Sequence, residues 1–196
     1  SEVVTAVAPA KGDVYLDGTF GAGGYTRAVL EAAGCSVLAL DRDPQALADA
    51  GALVDAFGAR LTLVEGCFGD MEALAQDAGF AELDGVMLDL GVSSMQLDQP
   101  ARGFSFMRDG PLDMRMDRSQ GRTAADLVNT TDERTLAGIL QRNGDERHAR
   151  RIARAIIAAR PISTTGELAE IVRDAVPAAA RRHAGHPARK LSLIHI

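Results

Sequence analysis

Four short apolar runs recur along the first half of the chain: VYLD (14–17), SVLAL (36–40), LTLVE (61–65) and GVMLDL (85–90). No other feature restricts the fold as strongly. The runs are continuously apolar, as strands are when helices cover both faces of a parallel sheet. The segments between them, 24–33, 44–57 and 69–78, read as helices. Asp43 followed by Pro44 supplies an N-cap and a first helical position for the second of these. The alternation predicts a doubly wound, Rossmann-like α/β domain whose ligand lies outside the C-terminal ends of the strands.

Asp17, Asp41 and Asp89 lie at the ends of the first, second and fourth runs. Asp17 opens a glycine-rich stretch, DGTFGAGGYT (17–26). It is not the G-x-G-x-x-G of a dinucleotide site, because the third glycine position, counted from Gly21, holds Thr26. Its spacing is D-x-T-x-G-x-G-G, which lets bare backbone approach a ligand while a carboxylate receives an ammonium group. Asp41, ending the second strand, suits a ribose diol, in NAD enzymes and S-adenosylmethionine enzymes alike. S-adenosyl-L-methionine has no phosphate but offers a cationic amino-acid end, a ribose and an adenine face. An acidic rim suits it better than a pyrophosphate. A NAD-dependent oxidoreductase is the competing enzyme reading, disfavoured by the missing glycine. Phe20 is expected to pack beneath the turn. Phe68, just past the third run, either lies against adenine or fills the core.

Beyond residue 91 the pattern changes. Residues 91–122 are rich in turn formers, and a loop of that length in a compact domain is functional or disordered. Helical patterns follow at 123–128, 132–142, 145–159 and 165–176, the last opened by Thr164 and Glu167 as a capping box. This reads as a helical module inserted after the fourth strand. Charge shifts with it: residues 1–141 hold 10 basic and 22 acidic side chains, residues 142–196 hold 11 and 5. A basic segment on an acidic body marks either a polyanion partner or solvated helix faces. Arg102, Arg108, Arg115 and Arg118 lie among Phe104, Phe106, Met114 and Met116. Arginines grip phosphates while aromatics stack on an unpaired base; alternatively the apolar members form a local core that anchors the loop. Arg147, Arg150, Arg151 and Arg154 recur about once per turn of one predicted helix and suit an RNA backbone.

Composition narrows the remaining classes. With 46% hydrophobic and 24% charged residues the chain is of ordinary globular type. No apolar run nears the ~18 residues of a membrane helix, and no basic-then-apolar leader opens the chain, so a cytoplasmic location is expected. Cys35 and Cys67 stand alone in apolar surroundings and read as core residues of a reducing compartment. Neither joins His148, His183, His186 or His195 in a metal-spaced cluster, and no metal is expected.

The segment LDLGVSSMQLDQPARGFSFMRDGPLDMRMD (88–117), with DGTFGAGG, LALDRDP, NGDERHARRIARAI and TTGELAEIV, closely resembles the bacterial RsmH (MraW) family. These are S-adenosylmethionine-dependent methyltransferases of 16S ribosomal RNA. The resemblance runs in register from about residue 2 to His186-Pro187-Ala188. It implies a class I methyltransferase fold and transfer of a methyl group to the exocyclic N4 of a cytidine in the small ribosomal subunit, with 16S rRNA as partner. Position by position it implies cofactor contacts at Gly23, Gly24, Tyr25, Asp41, Phe68, Asp89 and Gln96. Tyr25 stands where the family usually has histidine, and Met95 where it usually has proline. Residues 1–100 then form the cofactor-binding domain, and 101–188 a loop and helical insertion for RNA recognition. Residues 189–196, which replace a T-R-T-F-Q run, read as a non-native tail. Family members continue further, so the chain is expected to be truncated at both ends and its sheet incomplete. A fragment that binds RNA without methylating it is the competing reading from another class.

The amino nitrogen of cytosine is a poor nucleophile because its lone pair is delocalised into the ring. Holding it in line with a sulfonium methyl, at ~3 Å, is chiefly an orientation effect. An acceptor on the amino group localises the lone pair and takes up developing positive charge. Asp89 is the candidate catalytic residue, with cofactor binding alone as its alternative role. Ser93 and Ser94 either bond the base or cap the GVSS turn.

Overall fold

The structure, a computed structural model, describes residues 2–178. The proposed tail 189–196 and the end of the family resemblance at His186-Pro187-Ala188 lie outside the described residues. Each apolar run forms a strand: β1 (Val14–Asp17), β2 (Ser36–Asp41), β3 (Leu61–Glu65) and β4 (Gly85–Met87). They pair in parallel in the order β3-β2-β1-β4. Leu16, Val37, Leu38 and Leu40 of the two central strands are fully buried, each contributing ~1.5–3 kcal/mol by leaving water.

Helix α1 (Glu2–Val7) precedes the sheet, and α2 (Gly24–Ala32) links β1 to β2. Helices α3 (Pro44–Ala48) and α4 (Gly51–Phe57) link β2 to β3, and α5 (Met71–Asp77) leads to β4. Leu16, Leu38 and Leu40 pack with Ala75, Met71 and Leu74 of α5. Arg60 Nη1 donates to the carbonyls of Leu30, Ala33 and Cys35 at 3.0, 3.0 and 3.3 Å, satisfying the end of α2 where it feeds β2. β2 and β3 extend the sheet on one side of β1 and β4 lies on the other. The winding therefore reverses between β1 and β4, and ligands of open α/β sheets bind at such reversals.

Two sequence expectations need correction in this unit. The helix predicted over 44–57 is two helices. Asp49 and Ala50 have ψ of −6° and −1°, and the Ala50 N–H bonds to Leu47, three residues back, before α4 restarts. The strand predicted over 85–90 ends at Met87. Leu88 and Leu90 are exposed, and the Asp89 N–H donates to the Thr19 hydroxyl at 2.7 Å rather than to a strand.

The chain divides between Leu90 and Gly91 into two compact units, earlier than the 100/101 break expected. Residues after Gly91 go with the helices because Val92 packs against their core and α6 (Ser94–Asp98) forms inside the supposed loop. The Ser93 hydroxyl accepts the Gln96 N–H at 3.2 Å, and Gln96 Oε1 accepts the Ser93 N–H at 3.0 Å, a complete capping box. Then come α7 (Ala124–Thr130), α8 (Glu133–Gly144), α9 (Ala149–Ala159) and α10 (Thr165–Ala175). Helix α9 begins later than the predicted residue 145 because Asp145 takes a left-handed φ of 44° and closes α8 through its N–H to Leu140. Leu136, Leu140, Ile152, Ile156, Ile162 and Val172 form the centre of this unit's core, each at most 1% exposed. Among the described residues no helix is long and apolar enough to cross a membrane.

Candidate active site

Asp17 ends β1 and is only 1% exposed. Its Oδ1 accepts the Thr19 N–H at 3.1 Å and its Oδ2 the Thr26 hydroxyl at 2.7 Å, so one carboxylate joins the start of the turn to the first turn of α2. Burial pushes this carboxyl above its ordinary value, opposed by the two hydrogen bonds and assisted by the charge of Asp41. The loop carboxylate expected to receive an ammonium group is therefore enclosed and structural. Thr26, in place of a third glycine, is fully buried and exists there as the partner of Asp17.

The rest of the turn is held from below and open above. The Phe20 N–H donates to Leu40 O at 2.9 Å, and the Gly23 N–H to Phe20 O at 2.7 Å. Gly23 sits at φ +74°, and a Cβ there would lie 2.9 Å from the Phe20 ring. Phe20, 4% exposed, thus packs under the turn as its sequence position suggested. A Cβ at Gly24 would meet nothing within 4 Å, and no side chain caps the start of α2.

Asp41, which ends β2, and Asp89, two residues beyond β4, differ from Asp17 and from each other. Half-buried Asp41 accepts the Gly21 N–H on Oδ2 at 2.7 Å and the Asp43 N–H on Oδ1 at 2.9 Å. Each oxygen keeps a further acceptor site. The Asp89 carboxylate is exposed and takes no hydrogen bond or ion pair among the described residues. Phe68, half-buried, opens a 3-10 turn directly after β3. A Cβ at Gly18 would lie 3.1 Å from Phe68 Cβ and 2.5 Å from Leu88 Cδ2, so the chain ends beyond β1, β3 and β4 converge there.

Gly23, Gly24, exposed Tyr25, Asp41, Phe68 and Asp89 therefore all border one turn of the first unit. Gln96 belongs to the second unit, where it is buried and its side chain completes the α6 cap. Ser93 is the N-cap of that helix. Thr19 and Thr26 were missed by the sequence reading; the only signal for them is the pair of hydroxyls flanking the glycines.

In the second unit Phe104 and Met114 are buried and Phe106 and Met116 pack against the same core, so the loop's apolar residues anchor it. Arg102, 6% exposed, donates from Nη2 to the carbonyls of Arg115 and Met116 at 3.1 and 2.8 Å. Arg115 clasps Asp113 at 2.8 and 3.0 Å and Arg118 approaches it at 3.4 Å, which holds the Asp113 carboxyl below its ordinary value. Arg108 is exposed. On α9, Arg150, Arg151 and Arg154 are exposed on the side opposite buried Ala149, Ile152, Ala153 and Ile156, and Arg147 is exposed just before the helix. Arg154 pairs with Glu133 at 3.5 Å.

A parallel sheet wound in this order, with a glycine turn after its first strand and a carboxylate ending its second, places the first unit among Rossmann-like methyltransferase folds. The chain belongs to the MraW methylase family, whose model matches residues 1–192. It is 54% identical over 180 residues to the ribosomal RNA small subunit methyltransferase H of Paramagnetospirillum magneticum, covering 90% of this chain and 56% of that protein. Its identity to the protein of the same description from Rhodospirillum centenum is 57% over 179 residues, covering 90% and 54%. For that from Hyphomonas neptunium it is 54% over 192 residues, covering 96% and 55%. The chain spans about half the length of these relatives. Methyltransferases of this family use S-adenosyl-L-methionine.

Proposed function

We propose that this chain carries the cofactor site of an enzyme that methylates the exocyclic N4 of a cytidine in 16S rRNA of the small ribosomal subunit, in the cytoplasm. The observation that carries the reading is the acidic rim around an open glycine turn: a free carboxylate at Asp89, a half-exposed one at Asp41 and unobstructed space at Gly24. That donor set fits a cationic nucleoside and suits a pyrophosphate poorly. Gly23, Gly24 and Tyr25 would lie along the cofactor, Asp41 would accept from its ribose, and Phe68 would border its base. Gln96 is a further contact on the family resemblance.

When bound, S-adenosyl-L-methionine supplies an electrophilic methyl carbon on its sulfonium. Of Asp17, Asp41 and Asp89 only the Asp89 carboxylate takes no hydrogen bond or ion pair among the described residues, so it is the acceptor available both to the cofactor and to the cytosine amino group, whose developing charge it would stabilise. Asp17 and Asp41 hold the turn rigid while this happens. The exposed arginines at 147, 150, 151 and 154 would bind phosphates of the RNA, positioning it without reading sequence.

Calorimetric titration of the chain with S-adenosylhomocysteine and with NADH tests the cofactor class. Binding of the first alone is expected; binding of NADH alone would return the oxidoreductase reading. Methyl transfer to small-subunit particles, compared between this chain and a full-length relative, tests the reaction. The exposed α9 arginines also favour a second reading, RNA binding without catalysis. Transfer by the relative and binding without transfer by this chain would select it.

A further inference from the structure

Beyond β4 the chain leaves the sheet, and Leu88, Asp89 and Leu90 are all exposed. A segment without ladder partners and without buried side chains has little to fix its position. Its near end is held where the Gly18 N–H donates to Met87 O at 3.0 Å and Leu88 lies over Gly18. At Asp89 itself the hold is a bond from seventy residues away, its N–H donating to Thr19 Oγ1 at 2.7 Å. Thr19 is itself fixed, because its N–H is held by Asp17, a carboxylate that is 1% exposed and bound also by Thr26. The buried end of β1 is thereby coupled through one hydroxyl to the exposed residue that carries the free rim carboxylate.

We infer that Thr19 is a positioning residue: its hydroxyl clamps the backbone of Asp89 so that the Asp89 carboxylate is presented at the mouth of the glycine turn. The inference rests on the cofactor reading proposed above. The hydroxyl is needed as an acceptor, and the residue's shape is secondary. Valine has the same outline and leaves the Thr19 backbone bond to Asp17 in place, but offers Asp89 nothing. Serine restores the acceptor. Removing that acceptor leaves the Asp89 amide to water and loosens the backbone between Leu88 and Leu90.

The test uses the chain with Thr19→Val, Thr19→Ser and Asp89→Asn, alone and combined, and two readouts: amide hydrogen exchange at residue 89 by NMR and the affinity for S-adenosylhomocysteine. Thr19→Val is expected to speed exchange at residue 89 about ten-fold and weaken binding by a similar factor. Thr19→Ser is expected to recover both. Asp89→Asn keeps its amide and should weaken binding without lowering the protection of that amide relative to its unstructured exchange rate. Because Thr19 acts through Asp89, adding Thr19→Val to Asp89→Asn should weaken binding little further. Additive losses, or a Thr19→Val chain that exchanges and binds like wild type, would overturn the inference. A wild-type chain that binds no S-adenosylhomocysteine would overturn the cofactor reading alone. Exchange at residue 89 in Thr19→Val then still shows whether the clamp exists, keeping the two failures apart.

Discussion

Asp17 accepts two hydrogen bonds out of contact with water, and the desolvation outweighs them, raising its carboxyl above the ordinary value. Between its unfolded and folded values the native chain holds more protons than the unfolded one. Stability contributed by this group therefore falls as pH rises through that window. Asp17→Asn, which cannot titrate, is expected to lose most against wild type near pH ~4 and progressively less toward neutrality. Urea unfolding of both proteins at stepped pH measures this, and a pH-independent difference would contradict it. Gly23 is constrained differently, by its left-handed φ and by the ring beneath it. Gly23→Ala is expected to destabilise by about 1–3 kcal/mol, read by the same unfolding. Gly24→Ala, with open space around it, should change stability much less; under the proposed function it should still weaken S-adenosylhomocysteine binding, read by calorimetry. At this scale the sequence was legible for Phe20, an aromatic among glycines with nowhere else to go. It was misleading for Asp17, because a strand-end aspartate looks the same whether it faces the rim or the interior.

The strands were readable because continuous apolar runs have few other uses in a chain of this composition. Their limits were not. GVMLDL is apolar to its end, yet the strand stops at Met87, since a hydroxyl on a distant turn captures the next available amide. Helix α6 carried its S-x-x-Q cap in plain view, but five helical residues are too few for periodicity to register. The loop after it shows the same ambiguity among its arginines. Arg102 and Arg108 are alike in sequence, but the first is buried beneath the Arg115 and Met116 carbonyls and the second is exposed. Arg102→Met leaves two carbonyls without a donor and is expected to cost about 1–3 kcal/mol in urea unfolding. Arg108→Met should fall within ~0.5 kcal/mol of wild type. Equal effects would mean that the loop is not built around Arg102.

Charge follows the division into two units. Residues 1–90 carry 4 basic and 15 acidic side chains; residues 91–196 carry 17 and 12. Under the proposed function, carrying the two charge balances on separate units keeps the field that favours a cationic nucleoside from being cancelled by the one that favours a polyanion. The sequence revealed this asymmetry, but not which arginines face water. On α9 the stripe formed by Arg150, Arg151 and Arg154 is exposed, and of these Arg154 is already paired with Glu133. Arg150 and Arg151 should therefore release most of the counterions. For single-stranded RNA each phosphate contact adds about 0.7 to the slope of log affinity against log salt. Arg150→Gln with Arg151→Gln is expected to flatten that slope by about 1.4 and to weaken binding of a small-subunit rRNA fragment at low salt. Affinity for S-adenosylhomocysteine, measured on the same variant, should stay unchanged because neither residue is among the proposed cofactor contacts. A slope unaltered by the pair would place the RNA elsewhere on the chain, and a loss of both affinities would mean that the substitutions had damaged the fold rather than a binding face.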